Sequence, residues 1–136
     1  MKHTAAWILA LFGMLPALAQ QSPNDIAMLK KYAGTWAVDC AKPGVRLGID
    51  VKALTLSGGG KRVSSGSPPM AAFSYFGQQQ PPAGFEAALI GEGRAASLTF
   101  MAMNDASGAY VTVDADGALD RQFGKAALAG KFRRCP

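Results

Sequence analysis

The sequence predicts an all-β domain, a small antiparallel closed barrel of about eight strands with one short N-terminal helix. Short segments of alternating apolar and polar residues, separated by Gly, Pro, Asn and Asp, fill the chain beyond residue 34. The only two cysteines, Cys40 and Cys135, stand near the two ends of this region. Because bonded cysteines hold their Cα atoms within about 7 Å, the first and last strands must meet, and a meander whose ends meet is a barrel. A two-sheet β-sandwich is the alternative architecture.

The predicted helix precedes the strands. Ser22 can cap it, and Pro23 suits its first turn, where a missing backbone N–H leaves no hydrogen bond unmade. Apolar residues then recur at helical spacing at Ile26, Leu29 and Tyr32. A glycine two residues later ends the pattern. We expect this helix to cover an open end of the larger β structure.

The first strands are predicted from the parity of their apolar residues. One alternating segment spans 35–40, and the next spans 45–52. Leu54 and Leu56 then fall on the opposite parity. This change of phase predicts a bulge or corner near Ala53.

The later strands are bounded by turn residues. One of them is predicted to carry Phe73 and Tyr75 on one face and Phe76 on the other, between two proline-rich stretches. Further strands are predicted at 61–64, 85–90, 95–103, 109–113 and 131–135. Turns are predicted at Gly91-Glu92-Gly93, Asn104-Asp105 and Asp116-Gly117.

The N-terminus has the pattern of a secretory signal peptide. Lys2 precedes an apolar run over 5–15, and Ala17-Leu18-Ala19 supplies the small residues of a cleavage site. We predict cleavage after Ala19, so that residues 1–19 are removed and residues 20–136 form a single domain. The apolar run is too short for a bilayer core of about 30 Å, so we expect no integral membrane segment after cleavage. The predicted location is periplasmic or secreted.

The chemistry open to the exported chain is narrow. Its single histidine, His3, lies in the predicted signal peptide, which excludes histidine-dependent catalysis and histidine metal sites. Cys40 and Cys135 are expected to form a structural disulfide, because exported compartments oxidise paired thiols and the pair lacks Cys-x-x-Cys spacing. We therefore predict a protein that is not an enzyme and holds no metal or cofactor. The catalytic alternative is a hydrolase that uses carboxylates alone, with Glu86 and Glu92 as the residues to test.

The charge of the chain is mildly basic, with 14 Lys and Arg against 9 Asp and Glu. The basic residues are dispersed and are not interleaved with exposed aromatic residues, so no nucleic-acid groove is predicted. An anionic envelope surface is one expected partner, beside an unknown protein or a small apolar ligand.

Gly34-Thr35-Trp36 lies at the junction of the predicted helix and the first strand. This motif resembles the Gly-x-Trp opening of lipocalin-type (calycin) barrels, and the resemblance implies that an arginine of the last strand packs over Trp36. Arg133 and Arg134 both qualify. Strand parity counted from Cys135 favours Arg133, whereas parity counted from Phe132 favours Arg134, so the sequence leaves the choice open.

A second short motif, Ser107-Gly108-Ala109-Tyr110, resembles the Ser-Gly-x-x-Tyr signature of bacterial envelope inhibitors of C-type lysozyme, which are also small disulfide-bearing barrels. That family has an arginine just before the tyrosine, where this chain has alanine, and its later Lys-Gly motif is matched only loosely by Gly124-Lys125. The resemblance implies that Ser107, Tyr110 and Lys125 lie at an enzyme-binding edge. A Ser-Gly turn before a strand is the structural alternative.

These observations together predict an exported, non-catalytic binding or inhibitor-type envelope protein. In one form, a rim of loops around Phe73, Tyr75 and the 107–110 turn binds a protein. In the other, the interior carries a small apolar ligand, as the interior of eight-stranded lipocalin barrels does. Several interior positions hold alanine, which fits either a hollow or a tightly packed interior: Ala71, Ala87, Ala96, Ala102 and Ala109.

Overall fold

The computed structural model describes residues 21–75, 77, 79–94 and 96–136. The predicted signal peptide over 1–19 lies outside the described residues, as do Phe76 and Ala95. The described chain folds mostly into β structure, arranged as two antiparallel sheets with short helices.

Three helices occur in the described part of the chain: α1 (Pro23–Lys31), α2 (Gly117–Phe123) and α3 (Lys125–Leu128). The strands are β1 (Gly34–Ala37), β2 (Arg46–Ile49), β3 (Leu54–Gly58), β4 (Lys61–Ser64), β5 (Met70–Ala72), β6 (Phe85–Gly91), β7 (Leu98–Asp105), β8 (Gly108–Val113) and β9 (Arg133–Arg134). The five-stranded sheet has the order β4-β3-β2-β1-β9, and the four-stranded sheet has the order β5-β6-β7-β8. The prediction of a mostly antiparallel β domain with a short N-terminal helix is confirmed, whereas the two helices near the C-terminus, α2 and α3, were not predicted.

Helix α1 begins with the predicted cap. The Ser22 hydroxyl accepts a hydrogen bond from the Asp25 N–H at 3.1 Å, and the Asp25 carboxylate accepts one from the Ser22 N–H at 2.8 Å. The same carboxylate accepts a hydrogen bond from the Ala71 N–H at 3.0 Å and so ties the helix to the edge strand β5. Burial raises the pKa of Asp25, but these hydrogen bonds outweigh burial and hold the pKa below its usual range.

The change of apolar parity near Ala53 marks a tight turn between the antiparallel strands β2 and β3, where a bulge or corner was predicted. The Asp50 N–H donates to the Ala53 carbonyl at 3.1 Å, and Ile49 pairs with Leu54 across the two strands. Because the chain reverses here, Leu54 is buried beside Ile49 although the two residues differ in parity.

One apolar core lies between the two sheets. Its largest members include Trp36 of β1, Phe100 of β7 and Phe132 just before β9, and each of these side chains is fully buried. Full burial of a side chain of this size contributes about 1.5–3 kcal/mol. Four of the five alanines predicted to face the interior border this core: Ala102 within it, and Ala71, Ala96 and Ala109 packed against it. The fifth, Ala87, is fully buried but is not a member of this core. Side chains therefore occupy the space between the sheets.

Cys40 and Cys135 form the predicted disulfide, with their Cα atoms 5.5 Å apart. The Cys135 N–H also donates to the Thr35 carbonyl of β1 at 2.7 Å. Strands β1 and β9 pair antiparallel, with Trp36 opposite Arg134. The prediction that the first and last strands meet is confirmed, and the disulfide fits an extracellular or periplasmic protein.

Asp116-Gly117 does not form the predicted turn between strands. The Asp116 carboxylate accepts a hydrogen bond from the Leu119 N–H at 2.8 Å and caps α2, whose first residue is Gly117. Asp before Gly favours a tight hairpin turn, but a carboxylate also satisfies the free N–H groups at a helix start. A hairpin turn and a helix start can both use Asp-Gly, so the local sequence does not distinguish between them.

The prediction that Phe73 and Tyr75 belong to a strand is wrong. Strand β5 ends at Ala72, and Phe73 and Tyr75 follow it outside any strand. The Tyr75 ring packs edge-on against Phe85 of β6, with 5.3 Å between ring centroids. The proline-rich stretches on both sides restrict pairing, because proline cannot donate to a strand ladder.

Candidate functional site

The four-stranded sheet carries apolar residues on both of its faces. Phe100 faces the core, so Met101 and Met103, on the same strand with opposite parity, face outward. With Ala88 and Tyr110 they form a second buried apolar group, which we call the outer cluster. Met101 and Tyr110 are only 8 % and 7 % exposed, so other segments of the chain must cover this outer face.

Two cations lie against the ring of Tyr110. The Lys131 ammonium is 4.6 Å from the ring centre, and the guanidinium carbon of Arg133 is 5.0 Å from it. The buried residues Val111 and Phe132 exchange two backbone hydrogen bonds of 2.9 Å. Because neighbouring residues of a strand point to opposite faces, this pairing brings Tyr110, Lys131 and Arg133 together on the outer face.

Asp105, the last residue of β7, holds both cations. Its Oδ2 accepts hydrogen bonds from Arg133 Nη2 at 2.9 Å and from Lys131 Nζ at 3.1 Å, and its Oδ1 accepts one from Arg133 Nη1 at 3.3 Å. The Ser107 N–H donates to Oδ1 at 2.8 Å and closes the β7–β8 turn. The hydrogen bonds from Arg133 and then Lys131 lower the pKa of Asp105 to about 2. We call Asp105, Ser107, Tyr110, Lys131 and Arg133 the rim cluster.

The rim cluster is a positively charged surface that is fixed in position. Two cations against one ionised carboxylate leave a net positive charge, and the side chains of Lys131 and Arg133 remain 56 % and 35 % exposed. Arg133 Nη1 also donates to the carbonyls of Gly108 and Ala109 at 3.2 and 3.3 Å. A guanidinium held in this way loses little freedom when it binds an anion. The cluster can therefore receive an acidic group of a partner without rearranging.

Arg134 is the arginine that packs over Trp36. Its guanidinium carbon lies 4.7 Å from the ring centre, and its Nη2 donates to the Lys31 carbonyl at 2.6 Å. The Trp36 indole N–H donates to the Tyr32 carbonyl at 2.9 Å. These contacts join the end of α1 to β1 and β9, and they answer the question that strand parity left open.

Glu86 joins α1 to the four-stranded sheet. It accepts hydrogen bonds from Lys31 Nζ and from the Tyr32 hydroxyl, both at 2.9 Å, and from Asn104 Nδ2 at 3.5 Å. Burial raises the pKa of Glu86, but the hydrogen bonds from Lys31 and Tyr32 outweigh burial and hold the pKa below its usual range. Burial, and then the hydrogen bond to Glu86, raise the pKa of Tyr32.

The structure brings together some of the binding residues that the sequence predicts. Ser107 and Tyr110 meet in the rim cluster, and Tyr75 packs against the outer cluster, of which Tyr110 is also a member. Phe73 is 51 % exposed and lines a hollow of about 380 Å³ against α1. Lys125 is the exposed first residue of α3, and within the described residues no hydrogen bond or ion pair joins it to the rim cluster.

The binding predictions omit three members of the rim cluster: Asp105, Lys131 and Arg133, of which Arg133 is considered only as a structural partner for Trp36. One signal for Lys131 is present, because Lys131 and Arg133 alternate with the apolar Phe132 and must share a strand face. Asp105 carries no such signal, since its residue type and position fit an ordinary turn.

Comparison of the chain with protein-family models, curated proteins and solved structures returned no match. Among the described residues, no three metal-ligating side chains come together. No helix in the described ranges has the length and apolar character needed to cross a membrane.

Proposed function

We propose that this chain is an exported, non-catalytic binding or inhibitor-type envelope protein that engages a partner protein through the rim cluster. The observation that carries the proposal is the fixation of Lys131 and Arg133 against Tyr110 by a single carboxylate, Asp105. Cations held at fixed positions on an aromatic surface complement an acidic site on another protein. Export rests on the predicted signal peptide over 1–19, and the disulfide supports it.

The closed barrel is the architecture proposed for this binding domain. Hydrogen bonds at both seams between the sheets support it. At one seam, Val111 and Phe132 exchange two backbone hydrogen bonds of 2.9 Å. At the other, the N–H groups of Gly66 and Ser67 donate to the Glu92 carbonyl at 2.9 and 3.1 Å. A two-sheet sandwich is the alternative, and the strand order within each sheet is compatible with it.

The occupied interior favours a protein partner over a small apolar ligand. Trp36, Phe100 and Phe132 meet in one buried core, whereas a carrier of the lipocalin type needs space inside its barrel. The hollow beside Phe73 borders the surface of α1 and not the core. A lipocalin-like carrier of a small apolar ligand is therefore the second candidate function.

A C-type lysozyme is the partner class that the Ser107-to-Tyr110 resemblance implies. Glycosidases work with a pair of carboxylates that flank the substrate. The exposed cations Lys131 and Arg133 complement such a pair in charge, and they lie beside Ser107 and Tyr110. This juxtaposition makes a lysozyme the first enzyme to test.

A hydrolase based on Glu86 and Glu92 has less support. Glu86 is the second residue of β6, and Glu92 follows its last residue. Six residues of extended strand at a rise of about 3.3 Å separate the two by about 20 Å. Paired glycosidase carboxylates lie about 5–9.5 Å apart, so these two carboxylates are too distant to act as such a pair.

The test combines an enzyme assay with a ligand screen on the exported protein. We expect saturable inhibition of a C-type lysozyme, and no rise in the unfolding midpoint with a panel of fatty acids and aromatic hydrophobes. Lys131→Glu should weaken inhibition about tenfold or more, because it reverses a rim charge. The matched control, Lys52→Glu, makes the same change at an exposed position between β2 and β3 and should alter inhibition less than about twofold.

Other results of the same experiment would select the alternatives. A concentration-dependent rise in the unfolding midpoint with one apolar ligand, without inhibition, would favour the carrier. Hydrolysis of a glycan that is lost in Glu86→Gln or Glu92→Gln would favour the hydrolase. Equal inhibition by the Lys131→Glu and Lys52→Glu proteins would remove the rim cluster from the proposal.

A further inference from the structure

Two adjoining hollows run along the C-terminal helices, on a different part of the surface from the rim cluster. One of about 280 Å³ lies between the loop after β1 and helix α3, and one of about 250 Å³ lies between the β3–β4 turn and the end of α2. Gly44, Val45 and Ala127 line both of them. The two hollows therefore lie side by side, and we call the pair the helix groove.

The floor and walls of the helix groove are mainly apolar. Phe132 is fully buried at its base, and Val45 and Phe123 are half-buried. Val38 is 57 % exposed at one end, which makes it one of the most exposed large apolar side chains described in the chain. A concave apolar surface with access to water is typical of a binding site, whereas single exposed apolar residues on a convex surface are ordinary.

Several bonds hold the groove in shape. The disulfide anchors Cys40 in the loop that forms one wall. Arg46 Nη2 donates to the carbonyls of Cys40 and Lys42 at 3.4 and 2.6 Å and folds the same loop onto itself. On the other wall, Lys61 Nζ donates to the Gln122 carbonyl at 2.9 Å and joins β4 to α2. A groove fixed in this way loses little conformational entropy when a ligand enters.

The polar border of the groove is mainly positive. Of the described residues that line it, Lys42, Arg46 and Lys61 are cationic and Asp39 is anionic. Lys42 Nζ lies 3.9 Å from Asp39 and its side chain is 79 % exposed, so this ion pair leaves the ammonium open to another partner. Charge complementarity therefore favours an occupant with carboxylates beside its apolar groups.

We propose that the helix groove docks an extended segment of a partner protein in which two apolar residues, i and i+2, are flanked by acidic residues at i−2 and i+4. In an extended chain these four residues point to the same side, so the two apolar side chains enter the two hollows. The acidic residues at the two ends then lie at the border near Lys42 and Lys61. This surface is independent of the rim cluster and gives the protein a second site of contact.

A defined peptide tests this proposal directly. The probe is a fluorescent seven-residue peptide, Glu-Ser-Val-Ser-Val-Ser-Glu, added to the exported protein at low salt and followed by fluorescence anisotropy. We expect saturable binding that Ala127→Glu weakens about tenfold or more, because its carboxylate then lies beside both hollows and repels the acidic peptide. The matched control is Ala118→Glu on α2, which makes the same charge change at another exposed helical alanine and should change binding less than about twofold.

Two further arms distinguish docking from general attraction to a basic protein. The same peptide with Lys in place of both Glu residues should bind about tenfold more weakly than the acidic peptide. Lys42→Glu should weaken acidic-peptide binding more than Lys52→Glu does. Ala127→Trp fills the groove without a charge and should also block the peptide if Ala127→Glu proves unstable. Lys131→Glu should leave peptide binding unchanged, so failure of the groove and failure of the rim are separate results. No saturable binding, or equal binding by the Ala127→Glu and Ala118→Glu proteins, would overturn the proposal.

Discussion

Two neighbouring arginines of β9 serve different regions of the molecule. Arg134 lies over the buried ring of Trp36 at the closed junction of β1, β9 and α1. Arg133 lies against Tyr110 and is bound by Asp105 at the surface of the rim cluster. Successive residues of a strand point to opposite faces, so two identical side chains reach two different aromatic partners.

The difference lies in what each guanidinium covers. The Arg134 side chain is itself exposed, but it covers a tryptophan that is fully buried and donates a hydrogen bond to the end of α1, so its contacts are formed only when the core is formed. Arg133 meets its carboxylate where water and salt compete, and such pairs contribute little to stability. We therefore expect the stability of the fold to depend on Arg134 and the binding of a partner to depend on Arg133.

Reduction of the Cys40–Cys135 disulfide should have the largest effect, because it releases the strand that carries both arginines. The bond joins residues 95 apart in sequence, and its removal should lower the free energy of unfolding by roughly 2–4 kcal/mol. Urea unfolding with and without a reductant measures the loss.

The Cys40→Ser, Cys135→Ser double variant is the control for this prediction. It should unfold like the reduced protein and should not respond to the reductant. Free thiols in the native protein, or an unchanged midpoint after reduction, would contradict the prediction.

Arg134→Ala should have the next largest effect. It removes a cation–π contact and a hydrogen bond to the Lys31 carbonyl, which together should cost about 1 kcal/mol in the free energy of unfolding. Arg134→Lys should recover part of that loss, since an ammonium can still lie over Trp36. Urea unfolding of the three proteins tests the order, and a wild-type midpoint for Arg134→Ala would show that the arginine does not support the core.

Strand β9 also shows where prediction from the sequence stops. Parity counted from Phe132 identifies Arg134 correctly, because Phe132 and Arg134 belong to one extended segment. Parity counted from Cys135 is misleading, because β9 ends at Arg134 and Cys135 bonds across to Cys40. The disulfide and the cap of α1 were predictable, since one depends on a single possible pairing and the other on adjacent residues.

The rim cluster was only partly predictable. Its bond between Asp105 and Arg133 spans 28 residues and depends on the register of Val111 opposite Phe132. No local pattern encodes that register, although alternation does place Lys131 and Arg133 on one face. Long-range pairing of this kind is set by the packing of the whole core and is not determined within one segment.

The pKa of Asp105 tests the different roles of Arg133 and Arg134 more specifically, through a smaller effect than those on unfolding above. In the folded protein the pKa of Asp105 is lowered from 3.8 to about 2. Because the folded value is the lower one, the ionised carboxylate stabilises the fold above the ordinary pKa, and this contribution is lost as the pH falls through about 2. Carboxyl NMR should find a midpoint near 2 in the wild-type protein, a higher one in Arg133→Ala, and an unchanged one in Arg134→Ala. A wild-type midpoint near 3.8 would mean that, in solution, Arg133 and Lys131 do not bind the Asp105 carboxylate.

The smallest expected effect is that of Arg133→Ala on stability at neutral pH. Its ion pair with Asp105 is partly exposed, and Lys131 remains to bind the carboxylate. Water can replace the guanidinium at the carbonyls of Gly108 and Ala109, which belong to half-buried residues, so the free energy of unfolding should change by less than about 0.5 kcal/mol. The same variant should still weaken partner binding, because the fixed guanidinium is lost from the rim cluster. Urea unfolding at neutral pH measures the first effect and the lysozyme assay the second. A loss of stability as large as that of Arg134→Ala would mean that the rim cluster supports the core, and the division of roles between the two arginines of β9 would then be wrong.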